Sequence, residues 1–176
     1  MAASLDAIKE LREATSCGVI DCKKALEEAG GDMDKARELL KQRGLELAAK
    51  KGGREAREGR VEVYVHPGNK IVAMVEVSCE TDFVARNEDF IRFSRDVAMQ
   101  IGAMSPQYIK EEDIPEDVLA EVEDKKAYIK EQCLMNQVFI KDSKKTIQDY
   151  LNEIIAKIGE NMFVNRFIRY KVGELE

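Results

Sequence analysis

The first quarter of the chain alternates apolar and polar residues at the spacing of α-helices. Three short stretches within residues 4–44 place an apolar residue at every third or fourth position, which predicts three amphipathic helices. Their apolar positions are Leu5, Ile8 and Leu11, then Val19, Cys22, Leu26 and Ala29, then Met33, Ala36 and Leu40. We expect Gly30-Gly31 to end the second helix and Asp32 to cap the third. Gly44 is expected to end that third helix.

Beyond residue 60 the hydrophobic period changes from that of a helix to the two-residue period of a strand. Val61, Val63 and Val65 alternate with polar or larger residues, the sequence HPGNK supplies turn chemistry, and KIVAMVEVSC continues as a second strand. The alternation in residues 163–172 predicts a third strand. Between the helices and this hairpin, residues 46–59 mix both charges around Gly52-Gly53, which favours a solvated linker.

Helical periodicity returns three times within the second part of the chain. Pro115 can start one helix, whose inward side chains would be Val118, Leu119 and Val122. Asn87 can cap a helix whose apolar face carries Phe90, Phe93 and Val97. The stretch SKKTIQDYLNEIIAKIGE predicts another helix, with Ser143 or Thr146 at its start. Strands followed by helices predict an α+β protein with an antiparallel sheet covered by helices on one face. The predicted domains are a three-helix module (1–45), a linker (46–59) and an α+β core (60–176).

Composition and charge narrow the partners and the compartment. The 176 residues carry a net charge of -6, so charge alone does not favour binding to a nucleic acid. The sequence has no apolar run long enough for a membrane span and no secretion signal at its start, so we expect a cytoplasmic protein.

The sequence offers few groups for catalysis or metal binding. Four cysteines and one histidine, His66, are spread through the chain without the spacing of a zinc site. Phosphate-binding, dinucleotide-binding, esterase and zincin motifs are absent. We therefore expect a binding protein rather than an enzyme, with no cofactor and no metal. A thiol-dependent enzyme using Cys17, Cys22 or Cys79 is the competing chemical hypothesis.

The stretch CETDFVARNEDF, residues 79–90, joins the second strand to a helix. In one interpretation Thr81 caps the following turn, Asp82 satisfies free N–H groups and Phe83 fills the core. In the other, the turn presents an acid and an aromatic side chain to a partner, as interface hot spots often do. The residues alone leave both interpretations open.

Two long motifs resemble the elongation factor Ts family. They are LREATSCGVIDCKKALEEAGGDMDKARELLKQRG, residues 11–44, and ETDFVARNEDF, residues 80–90. The similarity continues through AAKKGGREAREGR, HPGNK, SKKTIQDYL and FIRYKVGE. The resemblance implies a ubiquitin-associated-like N-terminal module. It also implies a guanine nucleotide exchange factor for elongation factor Tu in bacterial translation.

The resemblance also implies which residues meet the partner. The stretch TDFV (Thr81, Asp82, Phe83 and Val84) would insert at the side of the GTPase domain and promote loss of magnesium and then of GDP. The N-terminal contacts would be Arg12, Val19 and Ile20, the last two standing where other members often carry methionine.

The length implies a short, single-core member of the family, of which two copies pair. We therefore expect a homodimer with elongation factor Tu as partner, and with no direct contact to nucleic acid or membrane. The terminal strand or the core helices are the candidate dimer interfaces. The alternative function is an adaptor in which only the three-helix module binds a peptide or a ubiquitin-like domain.

Overall fold

A computed structural model describes residues 4–15 and 17–174 of the chain. Its helices are α1 (Leu5–Thr15), α2 (Val19–Glu28), α3 (Met33–Lys51), α4 (Asp82–Ala85), α5 (Glu88–Met104), α6 (Glu116–Glu121), α7 (Lys125–Gln132) and α8 (Ile147–Ile158). Its strands are β1 (Glu58–Val65), β2 (Ile71–Cys79), β3 (Val138–Phe139), β4 (Asp142–Thr146) and β5 (Met162–Lys171). The chain divides into two compact units. One comprises the residues up to Arg54 together with Asn152–Asn161, and the other comprises the remainder.

The first unit contains the three predicted helices around a small apolar core. The fully or nearly buried side chains come from all three helices, as the periodicity predicts: Ile8, Leu11, Cys22, Ala25, Leu26, Ala36 and Leu40. Gly30 and Gly31 adopt φ values of 65° and 91°, and α2 ends just before them. Asp32 Oδ1 accepts hydrogen bonds from the backbone N–H groups of Asp34 (3.0 Å) and Lys35 (3.1 Å), which confirms the predicted cap.

The predicted end of the third helix at Gly44 was wrong. Helix α3 continues through Gly44 to Lys51 because the next residues, LELAAKK, are strong helix formers. Gly44 is buried, and a Cβ built on it would lie 3.4 Å from the Cβ of Ala156. The glycine therefore permits a close packing contact rather than ending the helix.

The second unit is built on an antiparallel sheet of order β1-β2-β5, so the predicted third strand pairs with the second strand of the hairpin. Helix α5 packs on β1 and β2. The buried positions of β2 alternate, as expected for a sheet covered on one face: Ala73, Val75, Val77 and Cys79. Phe90, Phe93 and Val97 of α5 are fully buried. The α+β class with a three-helix N-terminal module is confirmed.

In β1 the valines lie on the face of the sheet away from α5, and Glu62 and Tyr64 occupy the covered face. A Cβ built on Gly102 of α5 would lie 2.8 Å from Tyr64 Cδ1, so the absence of a side chain there makes room for the tyrosine ring. Glu62 has only 13% of its side chain exposed and pairs with Arg60 at 2.6 Å. The predicted alternation of β1 is confirmed, but the covered face of the strand carries Glu62 and Tyr64 and not the valines.

Among the described residues, the opposite face of the sheet is largely apolar and exposed, apart from an ion pair between Glu76 of β2 and Arg166 of β5 (2.7 Å). We call it the outer sheet face. Its members are related by strand register and alternation: Val61, Val63 and Val65 of β1, Val72 and Met74 of β2, and Ile168 and Tyr170 of β5. Six of the seven, all but Val72, are 42–54% exposed. An antiparallel sheet face that is left to solvent is normally polar.

Of the two predicted starts of the last helix, Ser143 and Thr146, the structure agrees with Thr146, which directly precedes the helix. Residues 142–146 form strand β4, which pairs with the short strand β3, and α8 begins only at Ile147. Asp149 N donates to Thr146 Oγ1 (3.1 Å), while Thr146 N donates to Asp149 Oδ2 (3.1 Å). Such a short, lysine-rich strand has weak strand propensity, so the sequence pattern did not reveal it. No helix among the described residues is both long and apolar enough to cross a membrane.

Candidate functional site

The connection between β2 and α5 is a single helical turn, α4, held at both ends. Thr81 Oγ1 accepts a hydrogen bond from Val84 N (3.4 Å), which caps the turn at its start. Asn87 Oδ1 accepts one from Asp89 N (2.9 Å) and caps the next helix. Both predicted caps are confirmed. The turn is therefore fixed between a strand and a long helix of the core.

The two apolar side chains of this turn point in different directions. Val84 is 8% exposed and anchors the turn to the core, whereas Phe83 is 80% exposed. Successive helical residues point about 100° apart, so a turn that buries one of them displays its neighbour. The interpretation in which Phe83 fills the core was wrong.

An ion pair that was not predicted from the sequence lies beside the exposed ring of Phe83. Arg86 Nη2 donates to Asp82 Oδ2 at 2.7 Å, across the one turn of α4. The signal in the sequence was the four-residue spacing of an acid and a base, which places both on the same side of a helix. The site thus combines an exposed aromatic ring with an adjacent, already paired carboxylate.

The predicted N-terminal contacts belong to the other compact unit. Arg12 lies exposed in the last turn of α1, and Val19 (53% exposed) and Ile20 (69% exposed) begin α2. They flank the short connection between these helices. Because their side chains are outside the core of the unit, they are available as contact residues without disturbing the fold.

Three of the four cysteines, Cys22, Cys79 and Cys133, are buried, and Cys17 is partly buried. Burial raises the pKa of Cys22, and burial together with neighbouring acids, Glu111 first, raises the pKa of Cys133 to about 11. A nucleophilic thiol needs the opposite shift. His66 Nδ1 lies 2.9 Å from the hydroxyl of Tyr64. Over the described residues, no group of three or more His, Cys, Asp or Glu is placed to hold a metal ion.

Sequence comparisons extend the resemblance over nearly the whole chain. The family model described as elongation factor TS matches residues 33–127 and 124–174. An elongation factor Ts of Carboxydothermus hydrogenoformans is 48% identical, and the alignment covers 95% of this chain and 88% of that protein. One of Desulforamulus reducens is 47% identical, with 97% and 89% covered. One of Anaeromyxobacter sp. strain K is 48% identical, with 95% and 87% covered.

Proposed function

Because the chain belongs to the elongation factor Ts family, a family of translation elongation factors, we propose that it is a guanine nucleotide exchange factor for elongation factor Tu. In this proposal it binds the GDP-bound GTPase, weakens its hold on magnesium and nucleotide, and leaves when a nucleotide rebinds. It makes and breaks no covalent bond. Its compartment would be the cytoplasm, where translation takes place.

The main support for the proposal is the exposure of Phe83, a large apolar side chain held outside the core on a fixed turn. Full burial of a phenylalanine side chain contributes about 1.5–3 kcal/mol. Insertion of the ring between elements of the GTPase would supply that energy only in the complex. By linkage, a factor that weakens GDP binding must itself be weakened equally by GDP.

Asp82 would act on the magnesium site. Magnesium is held by few protein oxygens and by the nucleotide phosphates, whose charge it neutralises. A carboxylate brought close to this arrangement would compete for its hydrogen-bond donors or disturb its charge balance. Loss of the ion would raise the off-rate of GDP, and no titratable catalyst is needed for this step.

The turn would be held by Thr81 and Val84. The N-terminal unit would bind the same partner through Arg12, Val19 and Ile20. The two apolar side chains at the start of α2 offer surface for burial, and Arg12 offers five hydrogen-bond donors. We propose that these residues contribute affinity, while the turn contributes the exchange step.

We further propose that two copies of the chain pair through the outer sheet face. Among the described residues, the face of the sheet opposite α5 is exposed and largely apolar, with one ion pair, Glu76–Arg166, among its side chains. A second, identical face can lie against it about 10 Å away as in a β-sandwich, which a two-fold axis would generate. The residues of this face spread over all three strands. This breadth suits the roughly 800 Å² per partner that a stable interface buries.

Release of a fluorescent GDP analogue from elongation factor Tu tests the exchange proposal. The chain at increasing concentration is expected to raise the release rate to a plateau, and added GDP should dissociate the complex. An unchanged release rate at every concentration would rule the proposal out. Magnesium in excess is expected to oppose the effect, because it competes with the step attributed to Asp82.

The adaptor function would give a different result in the same assay. In that case the full chain would bind through Arg12, Val19 and Ile20 alone. Substitutions in the Thr81–Val84 turn would change neither the binding nor the release of nucleotide. The exposure of Phe83 favours the exchange factor, because an adaptor of that kind has no use for it.

A further inference from the structure

We propose that Arg86 is a positioning residue, which holds the carboxylate of Asp82 in the orientation that the exchange step requires. This inference rests on the proposed exchange function and concerns the same turn. The observation that carries it is the 2.7 Å contact between Arg86 Nη2 and Asp82 Oδ2.

The turn needs such a support because it is too short to fix its own side chains. Helix α4 has four residues, and a single turn is far below the length at which a helix is stable by itself. The Thr81 cap and the burial of Val84 fix the backbone. Neither of them reaches the carboxylate of Asp82, which leaves its orientation to the ion pair.

Arg86 is suitably placed to orient that carboxylate. It is the C-cap residue of α4, and its own backbone N–H donates to the carbonyl of Phe83 (3.3 Å). The backbone of Arg86 is therefore tied to the same turn whose acid it contacts. A planar guanidinium restricts a carboxylate more strongly than an ammonium does. The Arg86 side chain is 77% exposed and that of Asp82 46% exposed, so both are accessible to a docking partner.

The expected effect is modest because the pair is exposed to solvent. Ion pairs of this kind contribute about 0.2–1 kcal/mol, which corresponds to a change of up to about fivefold in a rate or an equilibrium constant. We expect Arg86→Ala to lower the plateau rate of GDP release about two- to fivefold. The concentration giving half of the plateau should change little, because Arg86 acts through Asp82 and not through the partner. Arg86→Lys should retain part of the rate.

A double-mutant cycle separates positioning from direct contact with the partner. In the Asp82→Ala background, Arg86→Ala is expected to have no further effect on the plateau rate. An equal loss in both backgrounds would show that Arg86 binds the partner itself and would overturn the inference. Arg57→Ala is the matched control, since Arg57 Nη2 also pairs with an exposed acid, Glu55, at 2.6 Å but lies outside the turn.

Ionic strength gives a second readout, which a merely structural role of Arg86 would not produce. Salt screens exposed charges, with a Debye length of about 10 Å at 0.1 M and about 3 Å at 1 M. The plateau rates of the wild type and Arg86→Ala should therefore converge as salt rises. A ratio that stays constant would contradict the inference, as would a loss of thermal stability large enough to explain the lower rate.

Failure of this inference can be told apart from failure of the proposed function. If the wild-type chain does not accelerate GDP release, the exchange function itself is wrong. If the wild type is active and Asp82→Ala is slow while Arg86→Ala is unchanged, only the role of Arg86 is wrong.

Discussion

The exposed turn at Phe83 and the outer sheet face both present apolar surface, but they do so in opposite ways. The turn offers one ring, 80% exposed, on a short mount that is capped on both sides. The outer sheet face spreads half-exposed side chains over three strands, with none projecting as far. A single projecting ring is suited to insertion into a gap, whereas a broad flat face is suited to being covered.

This difference separates the roles that we assign to the two surfaces. An inserted ring makes few contacts, so few positions in the partner have to match it. Such a ring can change the structure of its partner at little cost in specificity. A flat face gains its energy from area, so it holds two molecules together without deforming either. A substitution in one surface is therefore expected to leave the function of the other unchanged.

The largest effect is expected from a charge placed in the outer sheet face. Ile168→Asp should raise the dimer dissociation constant at least about 100-fold, because burying an unpaired carboxylate costs several kcal/mol and the symmetry repeats it in both copies. Analytical ultracentrifugation measures this constant. The matched control is Ile140→Asp, since Ile140 is 41% exposed against 42% for Ile168 but lies on the β3–β4 hairpin. Equal weakening by both variants, or a monomeric wild type, would refute the assignment.

Next in size is the loss of the exposed ring. Phe83→Ala should lower the plateau rate of GDP release by about 10- to 100-fold, since it removes most of the burial energy available to the inserted side chain. Its dimerisation and thermal stability should match those of the wild type, because the ring is outside the core. Phe83→Leu should lie between the two. A Phe83→Ala variant with full activity would show that the turn does not act on the partner.

A smaller effect is expected at the start of α2. Ile20→Ser should raise the concentration of the chain that gives half-maximal release by about three- to tenfold, with little change in the plateau, because the residue contributes affinity only. Leu5→Ser is the control, as Leu5 is 84% exposed in the same unit but lies outside the predicted contacts. If both substitutions behaved alike, the contact surface would have to lie elsewhere.

The smallest effect concerns the stability of the N-terminal unit. The backbone N–H of Lys35 donates to Asp32 and lowers the pKa of its carboxyl group, so the folded state favours the ionised cap. This contribution is complete above the ordinary aspartate pKa of about 3.9 and is lost as the pH falls through the lowered value. Asp32→Ala should therefore melt at a lower temperature than the wild type at pH 7, and the difference should narrow below about pH 3.9. Asp34→Ala, which removes an exposed pair with Arg37 and leaves the cap in place, is the matched control.

Much of the fold could be predicted because it depends on local rules. The helical stripes of Ile8, Leu11 and Leu26 identified the N-terminal helices, and the caps at Asp32, Thr81 and Asn87 follow from the hydrogen-bonding capacity of short polar side chains. The period of two identified the sheet strands. Two long motifs identified the family, and with it the residues that were expected to meet the partner.

The tertiary structure decided what these local rules leave open. Alternation shows that residues take turns between two faces, but which face is covered depends on where α5 packs. That packing placed Tyr64 inside against Gly102 and left Val61, Val63 and Val65 outside. In the same way, the sequence predicted that Thr81 caps a turn that starts with Asp82 and Phe83. Only the burial of Val84 by the core determined that Phe83 would project into solvent.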